Sequence, residues 1–342
     1  MRILGLTVRQ LEERFKTRYG KGAYHAQAAY TQVMQRGQLV VRDLPEFLPA
    51  LALAQKFEND LVCALPQVVR RQETAGTIKF LIRLADGQTI ESVVIPMRSY
   101  ATICVSSQVG CRMACAFCST GKNGLTRNLE AEEIVAQVYL ARFGLQLPVR
   151  NIVFMGMGEP LDNLEQVVQA IKVLSDQKGL NIPLSKITLS TAGKLDGLRR
   201  LGRYQLSPLR VAISLNACED ALRSRLMPVN KRYPLAELKK CLKEYPLGNR
   251  EIFFIEYILL RGVNDSPLHA RQLADFVRGL PVRVNIIPYN PDAAPLFERP
   301  PDSEVQKFAD QIRQQNIFVR IRWSKGSEIA AGCGQLRAQK LQ

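Results

Sequence analysis

Three cysteines lie close together at positions 111, 115 and 118, in the stretch VGCRMACAFCSTG. Thiolates at such short spacings bind metals, but a zinc site needs a fourth ligand, usually from a second Cys or His pair. The two histidines, His25 and His269, have no potential ligand beside them in the sequence. A ferredoxin-type cluster also uses four cysteines. If the three thiolates hold a 4Fe–4S cluster, one iron stays open to an exchangeable ligand. Alternatively, the three cysteines bind no metal and are core residues.

The composition indicates a folded protein in a reducing environment. The chain has 342 residues, 46% of them hydrophobic, which predicts two domains or one large domain with appendages. No apolar run reaches the roughly 20 residues that cross a bilayer, and the N-terminus lacks the apolar segment of a secretory signal. We therefore expect a cytoplasmic protein with no membrane segment. Its eight cysteines then act as ligands, nucleophiles or core residues rather than as a disulfide framework.

The charge of the chain favours a polyanionic partner. The formal net charge is +16 at pH 7, and neutralising phosphate groups is a common use of such an excess. Basic residues occur along the whole chain, for example in RRLGR at 199–203 and VRIRWSK at 319–325. This distribution is typical of a folded basic surface rather than of a disordered basic tail. A nucleic acid is the partner that we expect.

The periodicity of apolar residues divides the chain into three parts. Residues 1–62 show helical spacing, with amphipathic segments that end at Gly20 and Gly37. Residues 63–97 contain two strand-like runs around Ala85-Asp86-Gly87, which predicts a β-hairpin. From residue 98 to 342, strand-like and helical runs alternate at least six times. The last pattern predicts an α/β fold with a parallel sheet covered by helices.

The loops that follow the predicted strands carry the unusual residues. After the cysteine loop come GMGEP, STAG, SLNA, GVND and YNP, one after each successive strand. A doubly wound sheet and an incomplete (β/α) barrel both fit the alternation. Because barrel enzymes build their active sites from the loops at the carboxyl ends of the strands, contributions from nearly every strand favour the barrel.

The cysteine spacing, with Phe117 before the last cysteine, resembles the CxxxCxxC motif of the radical-SAM superfamily. The resemblance implies an incomplete (β/α)6 barrel in which Cys111, Cys115 and Cys118 hold one 4Fe–4S cluster. The amino and carboxylate groups of S-adenosylmethionine would bind the open iron. GMGEP, one β/α unit further on, resembles the superfamily's Gly-Gly-Glu-Pro element. Gly158 would then border the methionine backbone and Glu159 would face its ammonium group.

A more specific resemblance extends over nearly the whole chain. The segments CVSSQVGCRMACAFCSTG, MGMGEPL, MPVNKRYPL and EIAAGCGQL are similar to those of the RlmN/Cfr family of radical-SAM RNA adenine methyltransferases. The closer match is to the RlmN branch, which methylates carbon 2 of an adenine in 23S rRNA and, in some members, in tRNA. The resemblance implies an RNA partner, an external one-electron donor such as flavodoxin or ferredoxin, and a monomer whose residues 1–62 dock RNA.

The family resemblance gives roles to two cysteines outside the cluster motif. Cys333 would take a methyl group from one S-adenosylmethionine, and the 5′-deoxyadenosyl radical from a second would remove hydrogen from that methyl group. The resulting carbon radical would bond to adenine, and Cys104 would then release the product by forming a transient disulfide with Cys333. Glu91 matches the family's proton acceptor, although the strand pattern alone suggests an exposed polar residue. We interpret the other cysteines as small core residues: Cys63, Cys218 and Cys241.

Five further positions match residues that line the family's S-adenosylmethionine pocket: Ser190, Ser214, Leu215, Asn216 and Asn290. Two positions depart from the family. Asn216 stands where a His is usual, so this position cannot titrate, and His25 stands where an Arg is common. Three alternatives remain. The protein could methylate carbon 8 of adenine, as in the Cfr branch, or modify another RNA or a protein by a related radical reaction. It could also be a basic iron–sulfur module that only binds RNA. Cys104 and Cys333 argue against the last, because a binding module does not need two further thiols.

Overall fold

A computed structural model describes residues 1–61, 65–122, 124–291 and 295–337 of the chain. Cys63, which the sequence analysis interprets as a core residue, lies outside the described residues. No helix in these four ranges is long and apolar enough to cross a bilayer.

The N-terminal part contains three helices, α1 (Val8–Tyr19), α2 (Ala23–Arg36) and α3 (Leu51–Asp60). Helix α1 begins with a capping box, in which the side chains of Thr7 and Gln10 bind each other's backbone N–H groups. The helices pack onto the following part of the chain, since the Tyr139 hydroxyl donates to the carbonyl oxygen of Val33 at 3.2 Å. Their buried side chains belong to the same hydrophobic core as those of the main sheet.

An antiparallel three-stranded segment follows, formed by β1 (Gln67–Thr74), β2 (Thr77–Arg83) and β3 (Thr89–Pro96). Strands β2 and β3 are the two predicted runs of the hairpin. Strand β1 is an addition to that prediction, because its sequence QVVRRQET is polar and its side chains are half-buried or exposed at the edge of the sheet. A strand of this kind lacks the apolar alternation by which strands are found in a sequence.

The remaining strands form the main sheet and a small ribbon. In chain order, strands β4 to β12 are Ala101–Cys104, Gln108–Gly110, Leu125–Asn128, Val149–Phe154, Ile187–Thr191, Arg210–Ser214, Phe253–Leu259, Val282–Pro288 and Val319–Ile321. The main sheet has the order β1-β2-β3-β4-β7-β8-β9-β10-β11-β12, and all neighbours from β4 to β12 are parallel. Strands β5 and β6 pair antiparallel on either side of the cysteine loop.

Helices cover the parallel strands. Helices α4 to α11 are Ser119–Lys122, Ala131–Tyr139, Leu164–Ser175, Leu195–Arg203, Asp220–Leu226, Leu235–Glu244, Pro267–Val277 and Asp302–Arg313. The helices that alternate with the strands bury one apolar face, as in α6, where Val167, Ile171 and Leu174 are inaccessible to solvent. The predicted α/β fold with an incomplete parallel barrel is therefore confirmed. Strands β1 and β12 form the two edges, so the described sheet is open.

Candidate active site

A cavity opens at the carboxyl ends of the parallel strands, where the loops predicted to carry chemistry meet. Most of the predicted site residues line it: Cys111, Cys115, Cys118, Gly158, Glu159, Ser190, Ser214, Asn216 and Cys333. These residues come from loops that are separated by more than 200 positions in the chain. The parallel sheet brings them together because each loop follows a strand at the same edge.

Backbone hydrogen bonds fix the cysteine loop at its start and in its middle. The N–H of Cys111 donates to the carbonyl oxygen of Gly124 at 2.8 Å, and that of Ala116 donates to Leu226 at 2.9 Å. Burial raises the pKa of the Cys111 thiol to about 12. Burial, and then the charges of the other two thiols, raise the pKa of Cys115 well above its usual value. The thiolate forms of Cys111 and Cys115 are thus unfavourable in this site without a nearby cation.

The glycine and the carboxylate of GMGEP have different structural roles. Gly158 has φ = +104°, and a Cβ there would lie 2.6 Å from Cβ of Gln108, so the loop requires glycine. The carboxylate of Glu159 accepts hydrogen bonds from the N–H groups of Ala192 at 2.8 Å and Leu161 at 3.1 Å. Burial nevertheless raises the pKa of Glu159 to about 7. A nearby cation would stabilise the ionised carboxylate.

Glu256 is a cavity residue that the sequence analysis missed. It lies in β10 beside Ser214 of β9, and it lines the cavity together with Ser190 and Ser214. Its Oε1 accepts from Nδ2 of Asn285 at 2.8 Å, whereas Oε2 is buried without a hydrogen-bond partner. Burial raises the pKa of this carboxyl. The available signal was a single acidic residue within the apolar run IFFIEYILL.

The loop after β9 places Leu215 and Asn216 differently. Leu215 is fully buried, and its side chain does not line the cavity. Asn216 does line it and has φ = +60°, a conformation that Asn adopts more readily than most residues. Its Oδ1 accepts from the N–H of Ile258 at 2.8 Å, and its Nδ2 lies 3.2 Å from Sδ of Met227. Asn216 therefore holds the ends of two strands together without a titratable group.

Arg223 in α8 is a second residue that the sequence did not single out, and it had no signal, since its segment resembles an exposed helix. It is completely buried. Its guanidinium donates to the carbonyl oxygens of Leu215 at 3.0 Å and Ala192 at 2.8 Å, and to Oδ1 of Asn230 at 2.9 Å. Burial lowers the pKa of Arg223 to about 10, so the group stays charged at neutral pH. This cation ties together the loops that follow β8 and β9.

Hydrogen bonds hold the segment around Cys333 against the cavity. Nδ2 of Asn290 donates to the carbonyl oxygen of Cys333 at 3.4 Å, and the N–H of Ser119 donates to Gly334 at 2.7 Å. Oδ1 of Asn290 is buried and lacks a partner. The Cys333 side chain is exposed toward the cavity. The protein that surrounds it still raises the pKa of its thiol.

Cys104 lies at the end of β4, buried beneath the cavity rather than in its lining. Burial raises the pKa of its thiol to about 12, and the charge of a Cys333 thiolate contributes in the same direction. Cys104 and Cys333 are both free thiols in the structure, so their transient disulfide stays a prediction. Among the other cysteines, Cys241 is buried and Cys218 is half-buried, as expected of core residues.

Glu91 is buried in β3, which corrects the alternative of an exposed strand residue. The strand pattern misleads here because the C-terminal segment, residues 330–337, covers this face of the sheet. Oε1 of Glu91 lies 3.3 Å from Nζ of Lys79, and Oε2 accepts from the N–H of Arg337 at 3.0 Å. Nζ of Lys79 also donates to the carbonyl oxygen of Ala330 at 3.4 Å. The Lys79–Glu91 pair thus contacts the chain on both sides of Cys333.

The donors and acceptors of the cavity fit an iron–sulfur cluster and S-adenosylmethionine. Three thiols supply soft ligands, which iron–sulfur clusters require. In the described ranges, no three His, Cys, Asp or Glu side chains are close enough together to hold a single metal ion. Oε2 of Glu256, a residue of the cavity lining, is buried without a partner and needs a hydrogen-bond donor. S-adenosylmethionine carries such donors in its ammonium, ribose hydroxyl and adenine amino groups.

Comparison with known proteins identifies the class of this site. The sequence model of the Radical SAM superfamily matches residues 105–274, from the cysteine loop to α10. The crystal structure of a radical SAM methyltransferase from Sphaerobacter thermophilus superposes with a TM-score of 0.90 at 38% identity, covering 98% of both chains. Fold and site therefore define a methyltransferase of the radical-SAM class, whose superfamily uses a 4Fe–4S cluster and S-adenosylmethionine.

Curated relatives define the family more narrowly. The dual-specificity RNA methyltransferase RlmN of Syntrophobacter fumaroxidans is 42% identical over 97% of each chain. The probable dual-specificity RNA methyltransferase RlmN of Gloeobacter violaceus is 44% identical over 94% of this chain and 91% of its own length. The protein described here belongs to the RlmN/Cfr family of radical-SAM RNA methyltransferases.

Proposed function

We propose that this protein methylates carbon 2 of an adenine in 23S rRNA, with tRNA as a second substrate. Relatives that match nearly the whole chain are named dual-specificity RNA methyltransferases. The net charge of +16 supports binding to a phosphate backbone. Residues 1–62 serve to dock the RNA, residues 63–97 carry Glu91, and residues 98–342 carry the rest of the site. The protein works as a cytoplasmic monomer.

The observation that carries this proposal is that Cys333 lines the same cavity as the three cysteines of the CxxxCxxC motif. Cys333 faces the same cavity as Cys111, Cys115 and Cys118, and its charge affects the pKa of Cys104. Cys333 accepts the methyl group on its sulfur and remains bonded to the RNA through that carbon. The sulfur of Cys104 then attacks Sγ of Cys333, so that a disulfide forms as the carbon–sulfur bond breaks. The released carbon keeps the electron pair of that bond and takes up the proton of the Cys104 thiol, which completes the methyl group. An external thiol reduces the disulfide before the next turnover.

Other residues of the chain bind the reactants and take up the proton. Cys111, Cys115 and Cys118 hold one cluster, Glu159 binds the ammonium group of S-adenosylmethionine, and Gly158 leaves space for its backbone. When bound, the cluster supplies the electron that cleaves S-adenosylmethionine. An external donor, flavodoxin or ferredoxin, provides that electron. Each turnover consumes two molecules of S-adenosylmethionine. Glu91 accepts the proton lost from the adenine, with Lys79 holding its carboxylate in place.

Contacts to the remainder of S-adenosylmethionine follow from the polar groups of the cavity. Ser190 and Ser214 present hydroxyl groups to the cavity, and the unpartnered Oε2 of Glu256 accepts from its ribose or amino groups. Asn290 contributes from behind the lining, where its Nδ2 holds the carbonyl oxygen of Cys333. Leu215 acts through its backbone, whose N–H donates to the carbonyl oxygen of Glu256 at 2.9 Å and so helps to position that cavity residue. Asn216 shapes the cavity wall.

Mass spectrometry of RNA nucleosides tests this function. We expect 2-methyladenosine in rRNA and tRNA from cells that express the protein, and its loss from cells without it. Restoring the wild-type gene restores the modified nucleoside, whereas a gene encoding Cys333→Ala does not. The appearance of 8-methyladenosine instead would assign the protein to the carbon 8 reaction. Unchanged nucleosides in all strains would contradict the proposal.

A further inference from the structure

Trp323 is the single tryptophan of the chain, and it is 46% exposed. It lies two residues after β12 (Val319–Ile321), on the side of the sheet where the strands have their carboxyl ends and the cavity opens. The guanidinium carbon of Arg299 lies 5.9 Å from the centroid of its ring system. A cation at this distance helps to fix the orientation of the indole. Nearly half of the surface of a positioned aromatic ring is thus left accessible.

The neighbours of Trp323 connect it to the cavity and to the sheet. Nη1 of Arg322 lies 3.7 Å from Oε1 of Glu256, which lines the cavity with Cys333. On the other side, Nζ of Lys325 donates to the carbonyl oxygen of Pro96 at 3.0 Å. Contacts on both sides therefore hold the short segment that carries the indole at the rim of the site. The same segment continues into the loop that contains Cys333.

The charge around the indole indicates what it contacts. Four cations lie within a few residues of Trp323 or contact its ring: Arg299, Arg320, Arg322 and Lys325. Two of them are paired with carboxylates, Arg299 with Asp302 at 2.8 Å and Arg322 with Glu256 at 3.7 Å. An exposed aromatic ring among cations is the arrangement that binds single-stranded nucleic acid, because bases stack on the ring while cations contact phosphates.

We propose that Trp323 is a stacking platform for an unpaired base of the RNA substrate, next to the base that enters the cavity. The inference rests on the proposed function, since it assumes an RNA whose target base leaves its stack to reach Cys333. It adds a specific requirement, which is that the RNA be single-stranded or locally opened beside the target. The contact selects for exposed bases rather than for a particular sequence.

Fluorescence can test this contact because Trp323 is the only tryptophan. Titrating the intact protein with an unlabelled single-stranded RNA should quench its tryptophan emission, and dye-labelled RNA gives the Kd by polarisation. Trp323→Ala should raise that Kd about tenfold, since stacking contributes about that much per base, while Trp323→Phe should retain most of the affinity. A double-stranded RNA of equal length should bind more weakly and should not respond to Trp323→Ala.

Phe318 provides a matched control. Its side chain is 55% exposed, and the centroid of its ring lies 5.1 Å from the guanidinium carbon of Arg283. Phe318 precedes β12, however, so it lies at the amino-terminal end of that strand, away from the end that carries Trp323. Phe318→Ala should leave the Kd unchanged. The stacking proposal is wrong, and the proposed function stands, if the RNA binds and is methylated without quenching the emission of Trp323. The same conclusion follows if Trp323→Ala and Phe318→Ala bind the RNA with equal Kd. If the wild-type protein neither binds nor methylates RNA, both are wrong.

Discussion

Nζ of Lys79 lies 3.3 Å from Oε1 of Glu91, and both side chains are buried, with exposed fractions of 7% and 2%. The pair bridges β2 and β3 on the face that the C-terminal segment covers. A buried ion pair gives little net stability, because the attraction between the charges is offset by the cost of removing them from water. Its presence beneath the segment with Cys333 is therefore better explained by the need for a positioned carboxylate than by stability.

Removing one partner of this pair should strongly destabilise the fold. Lys79→Met leaves the Glu91 carboxylate buried without its cation, and we expect a loss of about 3 kcal/mol or more in the free energy of unfolding. The double variant Lys79→Met, Glu91→Gln should recover much of the loss, because no lone charge remains. Urea unfolding of the cluster-free protein measures both.

The exposed pair Arg71–Glu73 on the neighbouring strand is the control for this prediction. Its side chains are 48% and 49% exposed, so Arg71→Met should cost less than about 1 kcal/mol. Equal unfolding midpoints for the Arg71 and Lys79 variants would show that burial of the Lys79–Glu91 pair is unimportant.

The raised pKa of Glu159 predicts a dependence of stability on pH in the cluster-free protein. Burial moves this pKa from 4.5 to about 7. Between these values the folded protein retains a proton that the unfolded chain releases, so stability falls as the pH rises through this window. The loss should reach roughly 3 kcal/mol at neutral pH.

Glu159→Gln isolates this contribution, because it cannot ionise. Its free energy of unfolding carries a constant offset from the altered hydrogen bonds, but the slope between pH 4.5 and 7 should be smaller than in the wild type. Parallel curves for the two proteins would mean that Glu159 titrates normally.

Cluster assembly should depend on three of the cysteines and not on the core cysteine of α9. After anaerobic reconstitution, we expect a brown protein containing iron and sulfide. Changing Cys111, Cys115 or Cys118 to Ala should remove the iron, the colour and the cleavage of S-adenosylmethionine. The variant Cys241→Ala, which alters a buried thiol remote from the cavity lining, should keep all three. A colourless wild-type protein with stoichiometric zinc would contradict the account.

Local patterns in the sequence predict much of the fold and of the cavity lining. The parallel strands and their covering helices follow from periodicity, and the loop with Cys111 follows from the cysteine spacing. The roles expected of Glu159 and Cys333 come from the family resemblance. Tertiary contacts explain what the sequence analysis missed. The C-terminal segment buries Glu91, and the guanidinium of Arg223 finds its carbonyl partners only when two loops meet. Glu256 required knowing which face of β10 lines the cavity.

The differing roles of Cys104 and Cys333 are the central claim. If Cys333 carries the carbon that bonds to adenine, Cys333→Ala should form neither methylated protein nor an RNA-linked species. If Cys104 releases the product, Cys104→Ala should still form the bond to RNA and then stop. The double variant should resemble Cys333→Ala, because Cys333 acts first. Cys241→Ala should methylate RNA as the wild type does.

Denaturing gel electrophoresis of Cys104→Ala, purified from cells or reacted with RNA, tests this claim most directly. We predict a slowly migrating protein–RNA band that nuclease digestion converts to the mobility of the free protein. The same band should be absent from Cys333→Ala and from the double variant. A Cys104→Ala protein that stays unlinked and still methylates RNA would contradict the two-thiol account.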